Sequence, residues 1–360
     1  MFLLVISQVI LYLCLSITFG CFLLSLVPKN VRPDISVPKG ILLLNIIGIP
    51  VSSFIPVFQI ILYLIPTSGA YESFQNVLFT FEIGKAWLFV FTLSIILFLF
   101  VLVIDYRKEA LYRFFGIVLT CLSIVGVGWS SHASSIDSTW GFINDTAHLS
   151  AVCIWVGILI VVSWFSKDSS NWLRFLKWFT PVAILCFIGT AISGLLLMRF
   201  VVDDYVTSWM TPYGQALLIK HLFIVPLLFY AFLNGILIRR KLKKNHQFDP
   251  RPWTKAESII LLFIFCATAV LGEQAPPKET VISSDTVSKL FTLFSKMPIQ
   301  EDLTLQLSIN FMSTLFIILA ALFLAMTIFS FVKKAPVLFS LFMSVLLVVC
   351  LYFSFMVSVV

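Results

Sequence analysis

The chain has 360 residues, of which 60% are hydrophobic and 11% are charged, and its formal net charge is +7. Soluble domains carry about 25% charged residues, so this composition excludes a soluble protein and indicates one that crosses a membrane many times. Apolar residues form long unbroken runs instead of alternating with polar ones, which excludes a β-barrel and predicts membrane helices. The positive charge is therefore interpreted through membrane topology and not as a sign of nucleic-acid binding.

Ten membrane spans are predicted, which makes the fold class all-α: a polytopic transmembrane helical bundle embedded in the lipid bilayer. The spans cover residues 1 to 27, 40 to 65, 84 to 104, 112 to 129, 145 to 165, 175 to 199, 214 to 238, 256 to 273, 306 to 331 and 336 to 357. The first run lacks a basic N-terminal region and a small-residue cleavage site, and Lys29, Arg32 and Lys39 follow it. We therefore expect it to be retained as a helix.

Lysine and arginine are distributed unevenly between the connections. When residues at the span ends are counted with the adjoining connection, the connections after the odd-numbered spans hold 18 of these residues and those after the even-numbered spans hold five, and Lys220 alone lies deep inside a span. Because cytoplasmic connections are enriched in lysine and arginine, we predict that both termini lie outside. The predicted organisation is N-terminal transmembrane helices over 1 to 110, a transmembrane core over 111 to 278, an extracellular loop over 279 to 305 and C-terminal transmembrane helices over 306 to 360.

Polar residues concentrate between residues 129 and 157, which hold two of the four histidines of the protein. His132 lies in the connection after the fourth span, and Asp145, His148 and Trp155 lie in the fifth span. Trp155 is near the middle of that span, and its indole N–H needs a hydrogen-bond partner. We therefore expect Trp155 to face the bundle interior and not lipid.

Three histidines share the predicted extracellular half of the bundle and form a candidate metal site. His132 lies just beyond the fourth span, His148 lies about one turn into the fifth, and His221 lies about 10 Å below the outer end of the seventh. Neutral imidazole binds copper and zinc, and the thioethers of Met198 and Met210, which flank the next outer loop, would favour Cu(I). A single histidine in a membrane helix is, however, more often a hydrogen-bonding residue between helices.

Two charged residues accompany these histidines. Asp145 precedes His148 by three residues, so on a helix its carboxylate could accept a hydrogen bond from the imidazole and orient it as a metal ligand. Alternatively, residues 144 to 146 form an N-cap at the start of the fifth span. Lys220 is adjacent to His221 and about 100° away on the helix. We expect one of these two residues to pair with an anionic group while the other faces the site, unless Lys220 snorkels to the outer interface.

Four segments carry a resemblance to a known family: SHA at 131 to 133, DTAHLSAVCIWVG at 145 to 157, YGQALLIKHLFIVPLLFYAFLNGILIRRKL at 213 to 242, and AESIILLFIFCATAVLGEQAPP at 256 to 277. Together they resemble the copper resistance protein D family of bacterial membrane proteins. The resemblance is best from about residue 129 to residue 277, whereas the first two spans and everything after 280 match only in hydropathy. The positions that fall on the family's pattern are His132, His148, Trp155 and Lys220. His221 is added from its depth in the membrane.

The resemblance implies copper handling at the bacterial cell membrane, usually uptake toward the cytoplasm, and so a contribution to copper homeostasis or resistance. Some relatives carry a soluble copper-binding β-sandwich on the same chain. The longest extracellular connection here, residues 274 to 305, is too short to hold one. We therefore expect either a separate extracellular copper carrier or direct capture of the copper ion at His132, with transfer to His148 and His221.

Two other functional classes stay open. His148 and His221 on facing helices could be axial ligands of haem in an electron-transfer or metal-reductase protein, with Lys220 at a propionate. Alternatively, the chain is a non-transporting assembly or sensor partner whose histidines only join helices. The sequence contains no nucleotide-binding or hydrolase motif, so we predict no catalytic residues and no enzymatic activity unless the haem alternative holds.

Overall fold

The computed structural model describes residues 1–245, 247–283, 285–294 and 304–360, without the side chains of His132 and Glu279. Its α-helices are α1 Phe2–Leu26, α2 Lys39–Ser68, α3 Ala70–Phe79, α4 Glu82–Val103, α5 Ala110–Trp129, α6 His132–Ile136, α7 Trp140–Phe165, α8 Trp172–Val201, α9 Pro212–Phe232, α10 Arg239–Lys244, α11 Arg251–Gly272, α12 Lys289–Phe294, α13 Phe311–Val332 and α14 Val337–Ser358. A π-helical segment, Leu233–Ile238, joins α9 to α10.

Ten helices of the described chain are long and apolar enough to cross a membrane, with α9, the π-helical segment and α10 forming one of them. This confirms the all-α class and the ten predicted spans. Span ends differ from the predicted ones by a few residues. The short helices α3, α6 and α12 were not predicted, because they are too short to give a hydropathy signal of their own.

The fifth span begins earlier than predicted, and the reason is local. Asp137 Oδ1 accepts hydrogen bonds from the backbone N–H groups of Thr139 at 3.0 Å and Trp140 at 2.9 Å, so the free amides at the start of α7 are satisfied there. Asp145 therefore lies inside α7. The alternative in which residues 144 to 146 cap this helix is wrong.

The helices fall into two compact units, of which the first contains residues 1–200 and 241–249. In this unit α1 packs against α2, α5 and α7. A Cβ atom built on Gly20 of α1 would lie 2.3 Å from the carbonyl oxygen of Gly157 on α7. The two backbones are therefore in contact, as small residues permit between membrane helices, and this crossing sets the position of α7.

One end of the first unit collects the basic connections. Arg113 donates to the carbonyl oxygen of Ser25 at 3.2 Å, and Arg174 donates to the carbonyl oxygen of Asn30 at 3.0 Å. These bonds join the connections that follow the first, third and fifth spans, which an alternating topology requires to share a side of the membrane. The compartment on that side stays a prediction.

His148 lies toward the opposite end of the same unit. The carbonyl oxygen of Phe165, the last residue of α7, accepts from Ser36 in a basic connection at 3.0 Å. His148 precedes Phe165 by 17 residues, which is about 25 Å along the helix. The histidine is thus separated from the basic end by most of a bilayer's apolar thickness.

The second unit contains residues 201–240 and 250–360. Here α9 packs against α11 and α14, and α14 packs along α13. The connection between α11 and α13 folds back onto the turn Thr207–Met210, since Ser288 N–H donates to the carbonyl oxygen of Met210 at 2.7 Å and Leu305 N–H donates to Thr207 Oγ1 at 3.2 Å. The division into four regions predicted from the sequence stays a prediction.

Candidate metal-binding residues

A hydrogen bond between α7 and α8 orients His148. Its Nδ1 lies 3.0 Å from Ser193 Oγ, and Ser193 Oγ in turn donates to the carbonyl oxygen of Gly189 at 2.7 Å. A serine hydroxyl has one hydrogen. When that hydrogen points to Gly189, the oxygen accepts from Nδ1 in the tautomer of the imidazole that carries its hydrogen on Nδ1. In that tautomer the lone pair is on Nε2, which is the nitrogen that a metal-binding histidine with a bonded Nδ1 uses.

A small residue of α8 borders the same imidazole, and a methionine follows that residue one turn later. A Cβ atom built on Gly194 would lie 3.4 Å from His148 Cε1, so the glycine leaves room for the ring. Met198 follows Gly194 by four residues and is half-buried. That spacing returns to the same helix face, so Met198 lies one turn beyond the imidazole on the face of α8 that meets it.

Trp155 continues the α7 face that packs on α8. It follows His148 by seven residues, or about two turns, and is only 4% exposed. Its ring meets Phe187 of α8 edge to face, with ring centroids 6.0 Å apart. The expectation that Trp155 faces the interior is confirmed.

The other two predicted residues of this region are less closely defined. Asp145 is half-buried in α7, three residues before His148, and its role behind the imidazole stays a prediction. His132 is the first residue of α6, where Ser131 Oγ accepts from Ser134 N–H at 3.3 Å. The side chain of His132 lies outside the described part of the chain.

His221 belongs to the second unit. Its Nδ1 lies 2.7 Å from the Tyr205 hydroxyl, and the two ring centroids are 5.5 Å apart. Burial raises the pKa of Tyr205 to about 12, so the hydroxyl is protonated at neutral pH. In the tautomer of His221 with its hydrogen on Nδ1, the hydroxyl oxygen accepts from Nδ1, and the Nε2 lone pair is the one that a metal would bind.

Two more predicted residues lie in this unit. Lys220 is half-buried beside His221 on α9. Met210 is fully buried in an apolar cluster that also contains Met356. The roles of Lys220 and Met210 at a metal site stay predictions.

No three His, Cys, Asp or Glu side chains are grouped closely enough to hold a metal ion in the part of the chain that the structure describes. His148 is in the first unit and His221 in the second, and the predicted set also includes the His132 side chain. The three-histidine site therefore stays a prediction.

Sequence reasoning missed Ser193, Gly194 and Tyr205. A Ser-Gly pair in an apolar span is a sign of close helix packing, so the first two had a weak signal. Nothing in the sequence indicates that they face His148. Tyr205 stands in a short connection, where a tyrosine has many ordinary uses.

Two family models match the chain. The model described as "Copper resistance protein D-like, N-terminal domain" matches residues 1–142, and the model described as "Copper resistance protein D" matches residues 173–271. The expectation that the first two spans match only in hydropathy is therefore wrong. Residues 143–172, with His148 and Trp155, lie between the two matched ranges.

The chain is also similar to the curated "Copper transport protein CutJ" of Bacillus subtilis (strain 168), with 27% identity over 181 residues. The aligned part is 48% of this chain and 32% of that relative, so the chain spans about a third of the relative's length. No solved structure matches the chain. Ten apolar spans and two family models matched in order along one sequence show that this multi-pass cell-membrane protein belongs to the copper resistance protein D family.

Proposed function

We propose that the protein moves copper across the cell membrane in the import direction and that His148 is a copper ligand. The observation that carries this proposal is the hydrogen bond between His148 Nδ1 and Ser193 Oγ, which holds the imidazole in one orientation between α7 and α8. The family membership and the copper-transport name of the relative support copper as the cargo.

The end of the bundle at which copper enters follows from charge. The basic connections of the first unit meet at one end, and His148 lies about 25 Å from it. Since basic connections are retained in the cytoplasm, His148 is on the extracellular side and both termini are outside.

Copper would pass between ligands without losing all of them at once. In this mechanism His132 captures the ion, alone or from a separate extracellular carrier, and hands it to His148. The thioether of Met198 favours Cu(I) there. His221, with Lys220 beside it and Met210 in the same unit, provides a further imidazole. Exchange from one ligand to the next avoids the high cost of a bare ion in an apolar medium, and the membrane potential or a concentration gradient drives movement.

Copper uptake into liposomes that contain the purified full-length chain tests this function. We expect uptake by the native protein and its loss in His148→Ala, while an unrelated histidine variant in the basic connection, His246→Ala, transports normally. Absence of uptake by the native protein would overturn the proposal, even if the purified protein binds copper. A strong Soret band that His148→Ala abolishes would replace it with the haem alternative.

A further inference from the structure

Two buried polar residues of the second unit form a pair that the copper proposal does not use. Asn234 Nδ2 donates to Glu257 Oε2 at 2.6 Å, and the two side chains are 5% and 3% exposed. Asn234 stands in the π-helical segment Leu233–Ile238, and Glu257 stands in α11. Both residues are therefore inside membrane spans, where an ionisable residue indicates an ion or proton pathway.

The amide of Asn234 is only partly satisfied. Its Nδ2 donates to Glu257 and lies 3.4 Å from the carbonyl oxygen of Trp253. Its Oδ1 is buried and has no hydrogen-bond partner among the described residues. A buried acceptor without a donor costs about 1–3 kcal/mol, so an amide that only joined two helices would be expected to pair both of its ends.

We infer that Asn234 and Glu257 form a proton-binding site. In the structure Asn234 Nδ2 donates to Glu257 Oε2, which is the arrangement that an ionised carboxylate, an acceptor only, requires. When a proton adds to the carboxylate, Glu257 becomes an O–H donor. Rotation of the Asn234 amide by half a turn then presents Oδ1 to that O–H. The same amide thus serves both protonation states, and its unsatisfied oxygen is the acceptor that the protonated state uses.

The backbone around Asn234 is suited to such a change. π-helical segments are rare, interrupt the regular hydrogen-bond ladder of an α-helix and are frequent at functional sites. Asn234 precedes Arg239 by five residues, and Glu257 follows Arg251, the first residue of α11, by six. Because α10 continues the same helix to Lys244, Asn234 is about 15 Å from the helix end along the axis, and Glu257 is about 9 Å from the start of α11. Neither distance exceeds about half of the apolar thickness of a bilayer, which is a short path for a proton to water.

Tyr230 lies one turn before Asn234 on α9, and the other charged and titratable groups of α9 and α14 lie at other levels. On α9, Tyr230 bonds Ser340 of α14 at 2.9 Å, and Lys220 and His221 are 13 residues or more before Asn234, about 20 Å away. On α14, Cys350 and Tyr352 are ten or more residues beyond Ser340, and Tyr352 bonds Gln215 near the other end of α9.

The remaining groups belong to α11 and to the end of α13. Lys255 precedes Glu257 by two positions, which places it about 200° around the helix. Lys333 follows α13 and lies over the ring of Phe329, 5.6 Å from its centroid. Arg251 lies at the first turn of α11. Asn234 is thus the side-chain partner that the structure assigns to Glu257.

Infrared difference spectra of the full-length protein in lipid nanodiscs, recorded while the pH is changed and without copper, test the site. We expect a carboxylic-acid carbonyl band whose intensity changes with pH. The band should be lost in Glu257→Gln and shifted in Asn234→Leu, because the hydrogen bond to the acid is removed. Glu82→Gln, which removes an exposed carboxylate paired with Lys85 at 2.9 Å, should leave it unchanged.

Three results would overturn the inference. The first is a band that persists unchanged in a folded Glu257→Gln protein. If Glu257→Gln does not fold, the second result is a carboxylic-acid band that has the same position in Asn234→Leu as in the native protein. The third is a carboxylate signal that responds to sodium at constant pH and never to protons. Because no copper is added, failure of the copper-transport proposal would not change any of these readouts.

Discussion

Gly20 and Gly157 bring the backbones of α1 and α7 into direct contact, since a Cβ atom on Gly20 would lie 2.3 Å from the Gly157 carbonyl oxygen. We predict that Gly20→Ala destabilises the protein by about 1–3 kcal/mol, the usual cost of overpacking, because the added methyl group meets rigid backbone. A thermal unfolding scan in detergent should show a lower midpoint. Gly40→Ala is the matched control, because nothing lies within 4 Å of a Cβ at Gly40, and an unchanged midpoint for both variants would contradict the prediction.

The Ser193 hydrogen bond gives a second prediction. Ser193→Ala should weaken copper binding by about 10-fold to 100-fold, the usual effect of losing a bond that orients a metal-binding histidine. Ser163→Ala is the control, because Ser163 is also buried and also donates to a carbonyl oxygen four residues earlier, that of Leu159 at 2.6 Å. Copper titration of the purified variants measures the effect. Equal affinities in the two variants would show that this bond does not matter for copper.

Tyr205 has the corresponding relationship with His221. Tyr205→Phe keeps the aromatic ring but removes the oxygen that lies 2.7 Å from Nδ1, so we expect the copper affinity contributed by His221 to fall by about 10-fold. Tyr213→Phe, which removes the hydroxyl of another buried tyrosine of the same unit, serves as the control. If both variants bind copper like the native protein, the Tyr205 hydroxyl does not support a metal ligand.

Alkaline pH should reveal the burial of Tyr205 independently of copper. Burial raises its pKa from 10.0 to about 12, so between pH 10 and pH 12 the unfolded chain loses a proton that the folded chain retains. The stability contribution is complete below pH 10 and is lost as the pH rises toward 12. Denaturant unfolding across this window should show a smaller loss of stability in Tyr205→Phe than in the native protein. If stability falls equally with pH in Tyr205→Phe and in the native protein, burial does not raise the pKa of Tyr205.

Topology can be tested at the C-terminus. An epitope tag placed after Val360 should be labelled by an antibody on intact spheroplasts, because both termini are predicted to be outside. A tag inserted in the basic connection after α10, near Asn245, should be labelled only after the membrane is permeabilised. The reverse pattern would invert the topology and move His148 to the cytoplasmic side.

The ten spans and the alternation of basic connections could be predicted from the sequence alone. Hydropathy and charge act over short stretches of chain, because each membrane helix satisfies its own backbone hydrogen bonds and each connection is retained according to its own charges. The depth of His148 and the interior position of Trp155 follow from the same local information.

Tertiary structure decided which side chains meet. His148 bonds Ser193, 45 residues away, and Asn234 bonds Glu257, 23 residues away. Hydropathy does not specify the rotation of a helix about its axis, because almost every position of these spans is apolar. That rotation is set by close contacts between helices, and so the partners of each buried polar group became visible only in the folded bundle.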